Sequence, residues 1–166
     1  MPRLNEEGLL RIDGAEILFP NFKGAPTKYK KDGGERHFDL VIPEHLYEQL
    51  KEDGWNIKRL RPRDTDDPNA VGKAHMKVKV AYKVRPPKIY MLTSRKRTLL
   101  GEDTVAVLDM SDIVNVDLIV APYEYDNDFG QGIAAYVRTM FVKVYEDELE
   151  RKYADVPDAE IDQPVF

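Results

Sequence analysis

The chain has 166 residues, of which 42% are hydrophobic and 33% are charged, a composition typical of one folded domain. It contains no cysteine, which excludes thiol catalysis, zinc fingers and disulfide frameworks. The net charge of −5 hides an asymmetry, because residues 55–97 hold thirteen bases and three acids whereas residues 146–166 hold two bases and eight acids. A basic middle and an acidic end together favour a polyanionic partner and a tail that competes with it.

The first part of the chain predicts strands around a polar loop, followed by a helix. Residues 9–22 have the pattern of a strand pair or of one long bent strand, with Gly14 as the break. Residues 24–35 are rich in glycine, proline and lysine, which favours a loop, and residues 36–42 alternate as a strand does. Residues 43–54 predict a short helix that begins at a proline and ends at a glycine.

The basic middle predicts three strands and their connections. Residues 55–62 are strand-like, and residues 63–72 form a loop of aspartate, asparagine, proline and glycine. Residues 74–84 are the clearest strand in the chain. Residues 87–93 predict another strand, and residues 94–101 a basic connection.

The last third predicts a hairpin before the tail. Residues 102–113 favour a short helix or turn, and residues 146–154 have helical composition. Residues 116–125 and 132–145 are strands on either side of a turn at 126–131. In total the patterns predict six to eight strands with one or two short helices, hence a mainly-β antiparallel α+β or barrel fold.

Segment 74–84 carries the most information, because period-two alternation separates its apolar and basic residues. The apolar face comprises Met76, Val78, Val80, Tyr82 and Val84. The opposite face comprises His75, Lys77, Lys79, Ala81 and Lys83. If the three basic strands pair in order, their cations gather on one sheet surface and its edge. The plainer alternative is a strand edge protected by lysine.

Single-stranded nucleic acid needs flat rings for its bases as well as cations for its phosphates. Aromatic residues lie beside the cations in the sequence, although each ring fits a core position equally well; Phe38 and Phe129 are further ring candidates. The residues predicted to bind single strands are Lys28, Tyr29, Lys30, Arg36, Lys58, Arg59, Arg61, Arg63, Lys77, Lys79, Lys83, Lys88, Tyr90, Arg95, Lys96, Arg97, Tyr123 and Tyr125.

No catalytic motif accompanies this surface. The paired acids Asp64, Asp66 and Asp67, and likewise Asp109 and Asp112, fit turns and helix ends as well as metal sites. The three histidines lack metal-ligand spacing, and no phosphate-binding glycine loop is present. We therefore expect no enzyme activity, no cofactor and no metal. With no apolar signal region and no run near the roughly 18 residues of a membrane span, we expect a soluble, intracellular protein without a membrane partner.

The end of the chain, together with this basic face and its rings, resembles the single-stranded DNA-binding proteins of bacteria and their viruses. The matching tail residues are Asp155, Asp158, Glu160 and Asp162, followed by Pro164, Val165 and Phe166. The body of the chain, above all residues 21–38, 86–100 and 116–126, resembles the replication single-strand-binding proteins of tailed phages.

The resemblance implies an oligonucleotide/oligosaccharide-binding (OB) fold-like antiparallel β-barrel with no catalytic activity. It implies a single-stranded DNA-binding domain at 1–154 and an acidic tail at 155–166. The protein would coat single strands during replication, recombination and repair. The tail would recruit a polymerase, helicase or primase through Phe166 and would cover the DNA groove until DNA displaces it. Homo-oligomerisation stays open.

Two alternatives remain at this point. One is an RNA-binding OB-type regulatory protein, for which RNA would compete better than DNA of equal length. The other is a virion structural or assembly protein whose basic face contacts acids of a partner. A steep, log-linear loss of binding with salt would separate single-strand binding from the second alternative.

Overall fold

The computed structural model describes residues 8–28, 31–61, 71–83, 85–94, 96–128, 130–146 and 152. Within them the chain is mainly β, as predicted, with two short helices. The strands are β1 Leu10–Ile12, β2 Ile17–Asn21, β3 Arg36–Ile42, β4 Lys58–Arg59, β5 Ala74–Val80, β6 Lys88–Leu92, β7 Arg97–Leu100, β8 Ile113–Asn127 and β9 Gly130–Val144. The helices are α1, Glu44–Glu52, and a 3₁₀ helix, Val105–Met110. None of the helices in the described residues is long and apolar enough to cross a membrane.

The nine described strands form one sheet in which β9 is the central strand. Neighbours follow the order β1-β8-β9-β5-β3-β2, with β4 added to β5 and the β6–β7 hairpin added to β9. One edge of β9 pairs antiparallel with β8 over nearly its whole length. Its other edge pairs in parallel first with β5 and then with β6. Thr139 lies opposite Ile119 and Val137 opposite Val120, so Arg138 is an extra residue in β9, and such a bulge bends a strand.

The two ends of the sheet, β1 and β2, are consecutive in the chain. Gly14, with a φ of 63°, turns the backbone between them. The N–H of Ala15 donates to the carbonyl oxygen of Val116 in β8 at 2.7 Å, and the carbonyl oxygen of Glu16 accepts from Val41 in β3 at 2.9 Å. Residues 10–21 therefore act as one bent strand shared by both ends, which confirms the bend predicted at Gly14. The described sheet is not closed by a strand ladder, and it is antiparallel, as predicted, except where β9 pairs with β5 and β6.

Alternate residues of these strands point inward and form one core. Phe22 and Phe38 are both 0% exposed, with ring centroids 5.6 Å apart. Helix α1 adds Leu50, which is 2% exposed. Burying a side chain of this size contributes about 1.5–3 kcal/mol, so this core is the main source of stability.

Two local predictions differ from the structure. Residues 94–101, predicted as a connection, contain β7, because buried Leu100 pairs with buried Ile89 across the ladder. Of residues 55–61, the described part of the predicted strand 55–62, only Lys58–Arg59 form a strand. The helix predicted over 43–54, the helix or turn over 102–113 and the hairpin at 126–131 are confirmed. The helical pattern of 146–154 falls almost wholly outside the described residues.

Candidate nucleic-acid interface

A groove crosses the outer face of the sheet over β3, β5 and the β8–β9 hairpin. It consists of two adjoining depressions of about 790 and 390 Å³, which share Asn56, Met76 and Lys77 as lining residues. We call this surface the groove.

The alternation of β5 places its basic side chains in the groove. Met76, Val78 and Val80 are 0–4% exposed, whereas Lys77 and Lys79 point outward and line the groove. The two faces predicted for this strand are therefore confirmed within the described residues. Tyr82, just beyond the strand, packs against the core, and burial raises the pKa of its hydroxyl to about 12. Val84 lies outside the described residues.

Two acids, one on β3 and one just before it, lie beside Lys77 of β5. Asp39 lies opposite Lys77 in the antiparallel register and contacts His75 through its carboxylate. Lys77 in turn forms an ion pair with Glu35. Burial alone would raise the pKa of Glu35, but the hydrogen bond and charge of Lys77 outweigh burial and lower it. The face is thus a mixed surface rather than the row of pure lysine that the sequence of β5 alone indicates.

Histidine His37 stands between these charges on β3. Burial, and then the charge of Lys77, lower the pKa of His37 below its ordinary value. The imidazole is therefore neutral near pH 7 and adds hydrogen-bonding capacity rather than charge to the groove.

Aromatic rings line the hairpin end of the groove. Tyr123 is 61% exposed and meets Tyr136 edge to face, with ring centroids 6.0 Å apart. The ammonium nitrogen of Lys79 lies 5.9 Å from the centre of the Tyr136 ring. Tyr125 lies over Gly132, its cross-strand partner, where a Cβ would come within 2.6 Å of the tyrosine hydroxyl. Because Gly132 has no side chain, the Tyr125 ring has room to line the groove.

The structure brings together only part of the predicted binding set. The members that line the groove are Lys28, Lys58, Lys77, Lys79, Tyr123 and Tyr125. The members outside the described residues are Tyr29, Lys30, Arg63 and Arg95. The tail residues Asp155, Asp158, Glu160, Asp162, Pro164, Val165 and Phe166 also lie outside them. Arg61 and Lys83 are exposed on connections beside the sheet.

Two predicted arginines are engaged by protein groups instead. Arg59 donates to both carboxylate oxygens of Glu44, at 2.8 and 3.0 Å, and its guanidinium lies 4.0 Å from the ring centre of Tyr47. Arg36 shares the inward parity of buried Phe38 and donates to the carbonyl oxygen of Glu102 at 3.3 Å. Phe38, a further ring candidate, is a core residue.

The expectation that the three basic strands pair in order is wrong. β4 pairs with β5, but β6 pairs with β7 and with the second half of β9. The β6–β7 hairpin therefore carries Lys88, Tyr90, Lys96 and Arg97 away from the groove. The Tyr90 ring stacks on Phe141 at 4.8 Å, and the Arg97 guanidinium lies 4.7 Å from its centre. Protein groups thus already contact this ring.

Asn56, Tyr136 and Phe19 are among the groove residues that the sequence did not predict. Asn56 follows Trp55 in a segment without regular alternation of apolar and polar residues. Tyr136 lies in a strand with a long apolar run, so alternation does not show which face is exposed to solvent. Phe19 lines the opposite end of the groove from Tyr123. The Phe-Pro pair at 19–20 was the available signal, because proline disturbs a regular strand.

Comparisons with known proteins agree with this architecture. The sequence matches no curated protein. The structure is similar to the single-stranded DNA-binding protein from bacteriophage Enc34 in complex with ssDNA, with a TM-score of 0.56 and 14% identity over 88% of this chain and 92% of that one. It is likewise similar to a C-terminal truncation of that protein, with a TM-score of 0.53 and 13% identity over 88% and 91% of the two chains. At such identities the likeness establishes the fold.

The sequence itself supplies the family. Residues 3–165, nearly the whole chain, match the family model described as "Putative phage ssDNA-binding domain". This chain therefore belongs to the family of phage ssDNA-binding domains.

Proposed function

We propose that this chain is a non-catalytic protein that binds single-stranded DNA largely independently of base sequence. The observation that carries the proposal is the groove, which joins Lys58, Lys77 and Lys79 to the Tyr123–Tyr136 ring pair on one face. Lysines contact phosphates and tyrosines stack on bases, and every nucleotide offers both. The family, and the relative solved in complex with ssDNA, support the same function.

A fluorescence titration of a labelled deoxythymidine oligomer at several salt concentrations tests this proposal. We expect log affinity to fall linearly with log salt, with a slope of about −0.7 for each phosphate contacted. An RNA oligomer of equal length is the competitor control. Stronger competition by RNA would favour an RNA-binding regulatory protein, and the absence of binding at low salt would leave a structural role in the virion.

We expect Tyr136→Ala to weaken single-strand binding by about 1–3 kcal/mol, the range found for stacked bases. Tyr136 points outward between buried Ala135 and Val137, so the core should tolerate the loss. Tyr47→Ala on helix α1 is a matched control, because it removes a partly buried tyrosine that contacts cations away from the groove. The same oligomer titration, with circular dichroism for folding, measures the effect. Equal losses from both variants would argue against stacking at Tyr136.

The acidic tail extends the proposal to partners. Residues 155–166 hold four acids and no base and end in Phe166. A tethered polyanion competes with DNA at high effective concentration, and an aromatic ring is a suitable anchor for an apolar pocket. We propose that the tail recruits a replication polymerase, helicase or primase in the host cytoplasm, in support of replication, recombination and repair.

Removal of residues 155–166 is expected to raise single-strand affinity at low salt and to have little effect at high salt, because screening weakens the competition. Phe166→Ala keeps the acids, so DNA affinity should hardly change while capture of a replication partner is lost. A DNA titration at two salt concentrations and a pull-down from host lysate measure the two effects. Equal low-salt affinity of the full-length and shortened chains would rule out competition by the tail.

A further inference from the structure

Phe19 is exposed at the rim of the groove, although the strand pattern would bury it. Ile17 pairs with inward-facing Leu40, so the residue two places later should also face the core. A regular register would set Phe19 opposite Phe38, which is 0% exposed. Phe19 is instead 61% exposed and lines the groove.

A bulge in β2 causes this reversal. Leu18 pairs with Asp39 and Asn21 with His37, so β2 holds one more residue than β3 between these pairs. Phe22 consequently takes the core position beside Phe38. Phe19 adopts a φ of 50°, the one positive φ among the described non-glycine residues, a conformation that is unfavourable for a bulky side chain.

Neighbouring groups fix the backbone after the bulge. The amide of Asn21 bonds both backbone groups of Ala25, at 2.8 and 3.0 Å. The carboxylate of Asp109 accepts from the N–H groups of Phe22 and Lys23, at 2.9 and 2.8 Å. An unfavourable backbone conformation persists where its surroundings determine it, and such positions cluster at binding sites. Bulges also redirect side chains next to such sites.

We propose that Phe19 is a base-stacking residue of the single-strand site, at the end of the groove opposite Tyr123 and Tyr136. The inference rests on the proposed function and adds to it a ring that the strand pattern assigns to the core. A base stacked on Phe19 and another on the tyrosine pair would hold the strand at both ends of the groove, with Lys77 between them.

Replacement by asparagine tests this inference, because asparagine tolerates a positive φ but has no ring. We expect Phe19→Asn to keep or raise the melting temperature and to weaken binding of a deoxythymidine oligomer by about 5- to 150-fold. Val114→Asn is the matched control, since Val114 is 58% exposed on β8 and does not line the groove. It should bind as the wild type does.

A second variant reports on stacking directly. Phe19→Trp keeps a ring at the rim, and the single native tryptophan, Trp55, is only 3% exposed. We expect near-wild-type affinity and a loss of indole fluorescence on titration with the oligomer. Wild-type affinity of folded Phe19→Asn, or an unchanged indole signal at saturation, would overturn the inference. Failure of the wild type to bind would instead overturn the proposed function.

Discussion

Replacing Lys77 and Lys79 together by glutamate is expected to lower single-stranded DNA affinity by at least about ten-fold while the protein stays folded. Both side chains leave the outer face of β5, and the buried residues between and beside them are unchanged. The ion pair of Lys77 with Glu35 is partly exposed, and pairs of this kind contribute only about 0–1 kcal/mol to stability. The slope of log affinity against log salt should become shallower, because fewer phosphates are contacted.

A control variant with the same change in net charge shows whether the loss of affinity depends on the position of the lysines. Lys51→Glu with Lys143→Glu makes the same change at exposed positions on helix α1 and the far half of β9, outside the groove. We expect this control to weaken binding only slightly, and mainly at low salt, through long-range repulsion. Native circular dichroism with unchanged affinity in the Lys77/Lys79 variant would show that DNA does not bind on this face.

Of the substitutions proposed, Phe38→Ala is expected to lower stability most, with a loss of about 3–5 kcal/mol in the free energy of unfolding. Phe38 is 0% exposed, and Phe22 packs against it from the far side of the β2 bulge. Removing the ring leaves a cavity that the surrounding strands fill only in part. Urea unfolding measures the loss.

The adjacent residue provides the comparison. His37 faces the groove rather than the core, so His37→Ala should cost about 1 kcal/mol, well below the loss from Phe38→Ala. A variant Phe38→Ala that keeps wild-type stability but loses DNA binding would mean that the two faces of β3 are reversed.

The alternation of β5 was predictable from sequence because the pattern is local. Every second residue from Met76 to Val80 is apolar, and each is buried. The outward lysines of the groove follow from that one observation. The mixed charge of the face does not, since it depends on β3 becoming the neighbour and on the register that sets Asp39 opposite Lys77.

The remaining features depend on residues far apart in the chain. The exposure of Phe19 results from a bulge whose backbone is held by Asp109, 87 residues from Phe22. The separation of Tyr90 from the groove follows from the change of partner along β9 at Arg138. Pro20 marks an irregularity in β2 but does not say which way the Phe19 ring points, and the change of partner along β9 has no local signature, so the sequence alone does not sort the rings into core, groove and hairpin.

The acids beside the lysines, Glu35 just before β3 and Asp39 within it, bear on how readily a bound strand would be released. A phosphate that bound Lys77 would replace Glu35, the anionic partner that the ammonium group already has. The electrostatic gain on binding would then be only the difference between the Lys77–phosphate and Lys77–Glu35 ion pairs. The Glu35 carboxylate would pair with Lys77 again once the phosphate left. If single strands bind in this groove, we expect them to dissociate more readily than from a groove lined by lysine alone.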